Sequence, residues 1–329
     1  MELTGLKLIS IILVVAAICA LSGYLITRTF FNKGSISIPM FVYTRISPDQ
    51  FFGDFYDEAK SEFRIASSFP GTASATYYGL SVLKKGLRTG FGDRIFLSDE
   101  EMGKVLKALR SYYDAAGYYV EEGVDPVFLT SRIMQTTNFY PQKLNQAISL
   151  KWLDDNSLLN KSLPESKFDP EYQYNILEIY RNIDSATSKL KMQEIDSDYI
   201  NYYSYYDAGV VSDSEYLRKK YYQVAIISYL TNIEVLGPTT GLKADEINSD
   251  IARLKNIALS DVSDIKDFYW LYSLKKFYQI TIDPNVVIAT LEKFYLNREF
   301  KEKAGDNYGS LIGMYYASQI YRDVLGYPL

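Results

Sequence analysis

Apolar residues recur along most of this chain at intervals of three and four, the spacing that places them on one face of a helix. The pattern starts at Pro48 and runs to the C-terminus. Two kinds of helix alternate in it. One is apolar around most of its circumference, as in "TYYGLSVLKK" (76–85), and must be buried on most sides. The other carries a charged face, as in "SDEEMGKVLKALRSYYDAAG" (98–117), where Ser98 and Glu101 form a capping box.

The first kind repeats. "DFYWLYSLKK" (267–276) aligns with "TYYGLSVLKK", with Phe268-Tyr269 on Tyr77-Tyr78, Leu271 on Leu80 and Leu274 on Leu83. "KYYQVAIISYL" (220–230) repeats the pair at Tyr221-Tyr222, and "GMYYASQIYRDVLG" (313–326) at Tyr315-Tyr316. Weaker copies are "DPVFLTSRIMQTTNFY" (125–140) and "DPEYQYNILEIYRNI" (169–183), each opening with an Asp-Pro helix start. Copies begin near residues 74, 126, 170, 220, 266 and 309. An interval of about 45 to 50 residues accommodates one helical hairpin. Partner helices are expected at 48–66, 98–117, 142–159, 198–209, 243–259 and 283–296. The expected fold is all-α: an (α/α)6 toroid of six inner and six outer helices. The first and last copies are alike and apolar, which predicts that they meet, since an open solenoid needs polar caps.

The N-terminus breaks the period. Residues 8–26, "LISIILVVAAICALSGYLI", carry no charge and as a helix would span roughly 28 Å, enough to cross a bilayer. Lys7 and Arg28 bracket them. The run continues past the small-residue site at Ala20-Leu21-Ser22, which favours an uncleaved N-terminal transmembrane helix over a signal peptide. The expected layout is an anchor at 1–28, a stalk or linker at 29–47 and the toroid at 48–329. The C-terminal part is expected outside the cytoplasm, on a single-pass cell-membrane protein.

Composition narrows the chemistry. The 329 residues include no histidine, one cysteine (Cys19, in the anchor) and 31 tyrosines, with a net charge of -5. Zinc sites and triads built on a histidine base are therefore excluded. No cofactor or metal is expected, although an oxygen-ligated calcium or magnesium site stays open. No basic block marks a nucleic-acid partner.

"TASATYYGLSVLKKG" (72–86) resembles the inner-helix repeat of the terpenoid cyclase and protein prenyltransferase superfamily, the α/α toroids. The likeness is one of fold. Prenyltransferases hold zinc with Asp, Cys and His, and this chain has no histidine. The cyclase Asp-x-Asp-Asp motif is one carboxylate short at Asp196-Ser197-Asp198-Tyr199. Other α/α toroids cleave polysaccharides with paired carboxylates, but Asp125, Asp169, Asp264 and Asp306 read as N-caps, and Glu121-Glu122 and Asp154-Asp155 as solvated charge. Candidate ligand contacts are Tyr77, Tyr78, Tyr174, Tyr222, Tyr269, Tyr315 and Tyr316, at matching places on the inner helices. Glu178 joins them as an acid on an apolar helix, with Arg181 as a competing salt-bridge partner. The expectation is a non-catalytic protein that binds a surface glycan, a lipid-linked molecule or a partner protein. The alternatives are a carboxylate-dependent glycosidase or lyase, a degenerate cyclase-like enzyme, or a structural subunit of a membrane complex.

Overall fold

The computed structural model describes residues 46–85, 96–137, 147–160, 162–183, 190–191, 193–194, 201–203, 211–231 and 242–325. These all belong to one unit, Met40–Leu329. The expected anchor at 8–26, most of the stalk, Cys19 and the Asp196–Tyr199 string lie outside the described residues. Among the described residues no helix is long and apolar enough to cross a membrane.

Among the described residues the unit is mostly helical. In chain order the helices are α1 (Pro48–Phe55), α2 (Ala73–Lys85), α3 (Asp99–Arg110), α4 (Pro126–Thr137), α5 (Leu150–Asn156) and α6 (Pro170–Asn182). Then come α7 (Asp213–Thr231), α8 (Ala244–Asn256), α9 (Ile265–Phe277), α10 (Pro284–Glu292) and α11 (Leu311–Leu325). Two short antiparallel hairpins interrupt them, β1 (Tyr56–Asp57) with β2 (Glu62–Phe63), and β3 (Tyr295–Leu296) with β4 (Glu299–Phe300).

The six expected repeats are α2, α4, α6, α7, α9 and α11. Their neighbour relations return on themselves: α2 packs on α4, α4 on α6, α6 on α7, α7 on α9, α9 on α11, and α11 on α2. Burial follows from that arrangement. Every residue from Ala75 to Leu83 of α2 is buried, and so is every residue from Tyr172 to Tyr180 of α6 except Tyr174. By contrast α3 buries only Met102, Val105, Leu106 and Leu109, and its outer side carries a Lys104–Glu100 ion pair. The capping box of Ser98 and Glu101 forms as expected. Helix α7 starts ahead of the expected position because Ser212 caps it, its Oγ accepting from the Glu215 N–H at 3.3 Å.

A buried polar knot joins α8 to its neighbours. Asp250 accepts hydrogen bonds from the Tyr216 and Tyr278 hydroxyls, each at 2.7 Å, and pairs with Lys220 Nζ at 3.1 Å. Three donors offset the desolvation of one carboxylate, so the contact costs little and fixes where α8 sits.

The helices expected over 48–66 and 283–296 end early, and the all-α reading omits both hairpins. After Phe55, Asp57 turns the chain: its Oδ1 accepts from Lys60 N at 3.3 Å and its Oδ2 from Gly71 N at 3.2 Å. Such side-chain bonds to backbone compete with the helix ladder. After Glu292, Asn297 and Arg298 both adopt positive φ (49° and 75°), the requirement of a two-residue hairpin turn. The first hairpin delivers Phe63, fully buried, against the rings of Phe51 and Tyr56 at 6.2 and 5.2 Å. Burying each such ring contributes about 1.5–3 kcal/mol.

Phe63 also lies flat against Gly79, where a Cβ would overlap its ring. Gly79→Ala is expected to cost about 1–3 kcal/mol by overpacking. At Gly103 on α3 a Cβ meets nothing, and Gly103→Ala is expected to stabilise by about 0.5–1 kcal/mol. Chemical denaturation of the two variants checks the opposite signs.

Candidate functional site

A cavity of about 120 Å3 lies where the six repeat helices face one another, and each of them contributes to its wall. Tyr77 and Tyr78 come from α2, Tyr174 from α6, Tyr222 from α7, Tyr269 from α9, and Tyr315 and Tyr316 from α11. The structure therefore brings these seven candidates together. Glu178 does not line the cavity: its carboxylate lies 3.4 Å from Arg181 Nη1 and within hydrogen-bonding reach of the Tyr174 hydroxyl.

The tyrosines form a chain of rings around the centre. Centroid distances are 5.4 Å for Tyr174–Tyr222, 5.1 Å for Tyr222–Tyr221, 5.5 Å for Tyr221–Tyr269 and 5.3 Å for Tyr269–Tyr316. The chain continues at 5.0 Å for Tyr316–Tyr315 and 5.3 Å for Tyr315–Tyr78. These are edge-to-face and tilted contacts, in which the positive rim of one ring meets the negative face of the next. Hydroxyls pair across helix boundaries, Tyr77 with Tyr315 and Tyr221 with Tyr269, both at 3.1 Å.

The arc spans α6, α7, α9, α11 and α2 and leaves α4, which has no tyrosine pair. Here Arg132 fills the gap, with its guanidinium 5.3 Å from the centre of the Tyr78 ring. Among the described residues no carboxylate lies within ion-pair reach of it. Glu171, which also lines the cavity, is held elsewhere: Arg218 Nη1 donates to it at 3.0 Å and to Asp169 Oδ1 at 2.9 Å, while Nη2 donates to Asp169 Oδ2 at 2.8 Å. Trp270 supplies a second unmet donor, a buried Nε1–H with no partner in a ring that lines the same wall.

Burial is the first cause holding the hydroxyls of Tyr77, Tyr174, Tyr221, Tyr222 and Tyr316 well above the ordinary tyrosine pKa. The same cause, with Tyr269 next, pushes Tyr315 up to about 12. These groups stay neutral at physiological pH and can donate hydrogen bonds, but they offer no phenolate base. Burial also raises the Glu178 carboxyl pKa, with Arg181 and Tyr174 pulling the other way.

Arg132, Phe128, Gln135, Glu171, Asn175, Tyr221 and Trp270 were not among the expected contacts. Arg132 had a signal: it is a cation in "FLTSRIM", on a repeat helix that must be buried on most sides. Trp270 was hidden by register. The expected alignment put Phe268-Tyr269 on Tyr77-Tyr78, whereas the cavity uses Tyr269-Trp270. Phe268 instead stacks on Phe294 in the core at 6.2 Å.

The remaining acids have structural employment. The Oδ1 atoms of Asp125, Asp169 and Asp264 accept from Val127, Glu171 and Lys266 N–H groups at 2.8, 3.0 and 2.8 Å, as N-caps do. Asp306 closes a turn on Lys303 N at 2.9 Å instead of capping α11. Two readings as solvated charge are corrected. Glu121 caps α2 from a distant loop, accepting from Ala73 and Ser74 N–H at 3.1 and 3.2 Å. Asp154 accepts from the Tyr180 hydroxyl at 2.6 Å and pairs with Lys191 at 3.2 Å.

A larger groove of about 560 Å3 runs between α9 and α11 and shares Tyr269 with the cavity. Of its charged groups, Lys276 and Asp323 are paired at 2.6 Å, and Arg322 also lines it. Comparison with protein-family models, with curated proteins and with solved structures gives no match.

Because the hydroxyls of Tyr77, Tyr174, Tyr221, Tyr222, Tyr315 and Tyr316 titrate above their unfolded value near 10, the folded state holds their protons more tightly. Their contribution to stability is complete below pH about 10 and declines as pH rises beyond it. A spectrophotometric titration is expected to show a class of tyrosines that ionise only as the protein unfolds. Ionisation of all of them in one step near 10, with the fold intact, would contradict the burial described.

Proposed function

We propose that this chain is a membrane-anchored, non-catalytic binding protein on an (α/α)6 toroid, and that its central cavity receives a single anionic end group. The toroid reading is supported by the closed order of neighbouring repeat helices. Its likeness to the terpenoid cyclase and prenyltransferase superfamily is one of repeat pattern. The anchor is residues 8–26, with the helical unit outside the cytoplasm, on the strength of the uncharged run.

The observation that carries the ligand class is Arg132. A guanidinium is charged at every pH the protein meets, and Arg132, half-buried on the cavity wall, has no ion pair to offset its lost hydration. A cation–π contact with Tyr78 at 5.3 Å supplies attraction but no hydrogen-bond acceptor for its N–H groups. A carboxylate or phosphate would supply the missing partner, with tyrosine hydroxyls completing its hydrogen bonds. A cavity of about 120 Å3 takes one compact group, not a threaded polymer. The ligand is therefore the acidic terminus of a surface glycan or the phosphate of a lipid-linked molecule.

Binding without turnover is favoured over glycoside cleavage by the acid–base inventory. Cleavage uses two carboxyl groups about 5 to 10 Å apart. In the cavity wall Glu171 is the carboxylate, and Arg218 neutralises it.

Calorimetric titration of the full chain with a uronic acid, an isoprenyl phosphate and their neutral analogues tests this reading. The acidic compounds are expected to bind, and Arg132→Ala to weaken them about tenfold to a hundredfold, the loss of one charge-assisted contact of about 1.5–3 kcal/mol. Arg132→Lys should restore part. Equal binding of the neutral analogues, or release of a cleaved product, would overturn it.

A further inference from the structure

The wall of the central cavity carries two poles of opposite charge. Arg132 of α4 is the positive one, a guanidinium with no carboxylate in ion-pair reach among the described residues. The negative one is Glu171, in the first turn of α6. Arg218 offsets it only in part, because that guanidinium pairs with both Glu171 and Asp169, two negative charges against one positive. Oε2 of Glu171 takes the Arg218 N–H, and among the described residues its Oε1 has no hydrogen-bond partner.

Both poles act on the tyrosines between them. Burial and two neighbouring tyrosines are the first causes raising the Tyr316 hydroxyl pKa; Arg132 then pulls it down and Glu171 pushes it up. At Tyr222, Glu171 is the largest influence after burial, and it raises the hydroxyl too. A guest that is only an anion would satisfy Arg132 and leave the Glu171 side without a counter-charge.

The rest of the wall is aromatic, and several of its hydroxyls are engaged with one another, Tyr77 with Tyr315 and Tyr221 with Tyr269, each at 3.1 Å. What it offers a cation is chiefly ring faces. Trp270, of the ring type that attracts cations best, lies in the same wall. A primary ammonium brings three N–H donors and needs acceptors for them. A methylated ammonium needs none, only rings and a counter-charge.

We propose that the anionic group received by the cavity belongs to a compact zwitterion, its anion on Arg132 and its methylated ammonium among the rings on the Glu171 side. This rests on the anion-binding reading above and narrows it. The chemistry is shared by carboxylate zwitterions of the betaine kind and by phosphate zwitterions of the phosphocholine kind. Both are small enough to enter as one group, and both bring a charge of the right sign to each pole.

The test is calorimetric titration of the full chain with isosteric pairs. Betaine and tert-butylacetic acid share one shape and one carboxylate and differ by a cationic nitrogen in place of a carbon. Phosphocholine and its tert-butyl isostere form the corresponding phosphate pair. In at least one pair the zwitterion is expected to bind about tenfold more tightly than its isostere, and the pair that shows this identifies the anion. Glu171→Gln is expected to remove that advantage while the isostere binds at least as tightly as before; Arg132→Ala is expected to weaken both members. Should Glu171→Gln fail to fold, the pairs on the parent chain still decide. Equal affinity within both pairs would overturn this inference and leave the anion reading standing, whereas no binding of any of the four compounds would overturn both. A zwitterion advantage that survives in folded Glu171→Gln would overturn the place given to the cation.

Discussion

The contact between α11 and α2 is the one on which the rest of the architecture depends. Each repeat helix is apolar around most of its circumference, so it needs a neighbour on both flanks as well as a covering layer. In an open row the two terminal helices would each expose a flank. Here Tyr77 and Tyr315, 238 residues apart in sequence, meet hydroxyl to hydroxyl at 3.1 Å, with rings 5.8 Å apart. Closing so long a separation carries a loop-closure cost that grows only logarithmically with length, and the buried flanks outweigh it.

Closure creates the centre. Helices that meet around a common line leave a space whose size depends on the side chains pointing inward. Tyrosine suits this position because its ring packs against a neighbouring ring while its hydroxyl finds another hydroxyl, leaving few polar atoms unmet. One helix departs from the pattern. By placing Arg132 where the others place a tyrosine, α4 turns a self-satisfied aromatic lining into one with an unmatched charge.

The second layer is attached through particular polar contacts more than through continuous apolar faces. Asp250 ties α8 to α7 and to the residue after α9, and Glu121 reaches across to cap α2. The hairpins add contacts of their own, the Phe63 ring against Gly79 of α2 and the Phe300 and Lys301 carbonyls against Gly313 of α11. The pairing of the two hairpins across the helix cycle repeats, at the level of loops, the similarity between the first and last helices.

Helical period and the tyrosine pairs were enough to identify all six repeat helices and seven of the residues around the cavity, because both follow from spacing along one helix. The Asp-Pro starts and the Ser98–Glu101 box were legible for the same reason, being local bonds between residues two or three apart. What the sequence could not reveal was decided by contacts distant along the chain. The hairpins replace helix where Asp57 reaches Gly71 and where Phe63 finds Phe51, and no periodicity encodes those meetings. The one-residue shift that selects Tyr269 and Trp270 over Phe268 depends on how α9 rotates against α7 and α11. Arg132 could be read as a misplaced charge, but its lack of a partner is a property of the assembled centre.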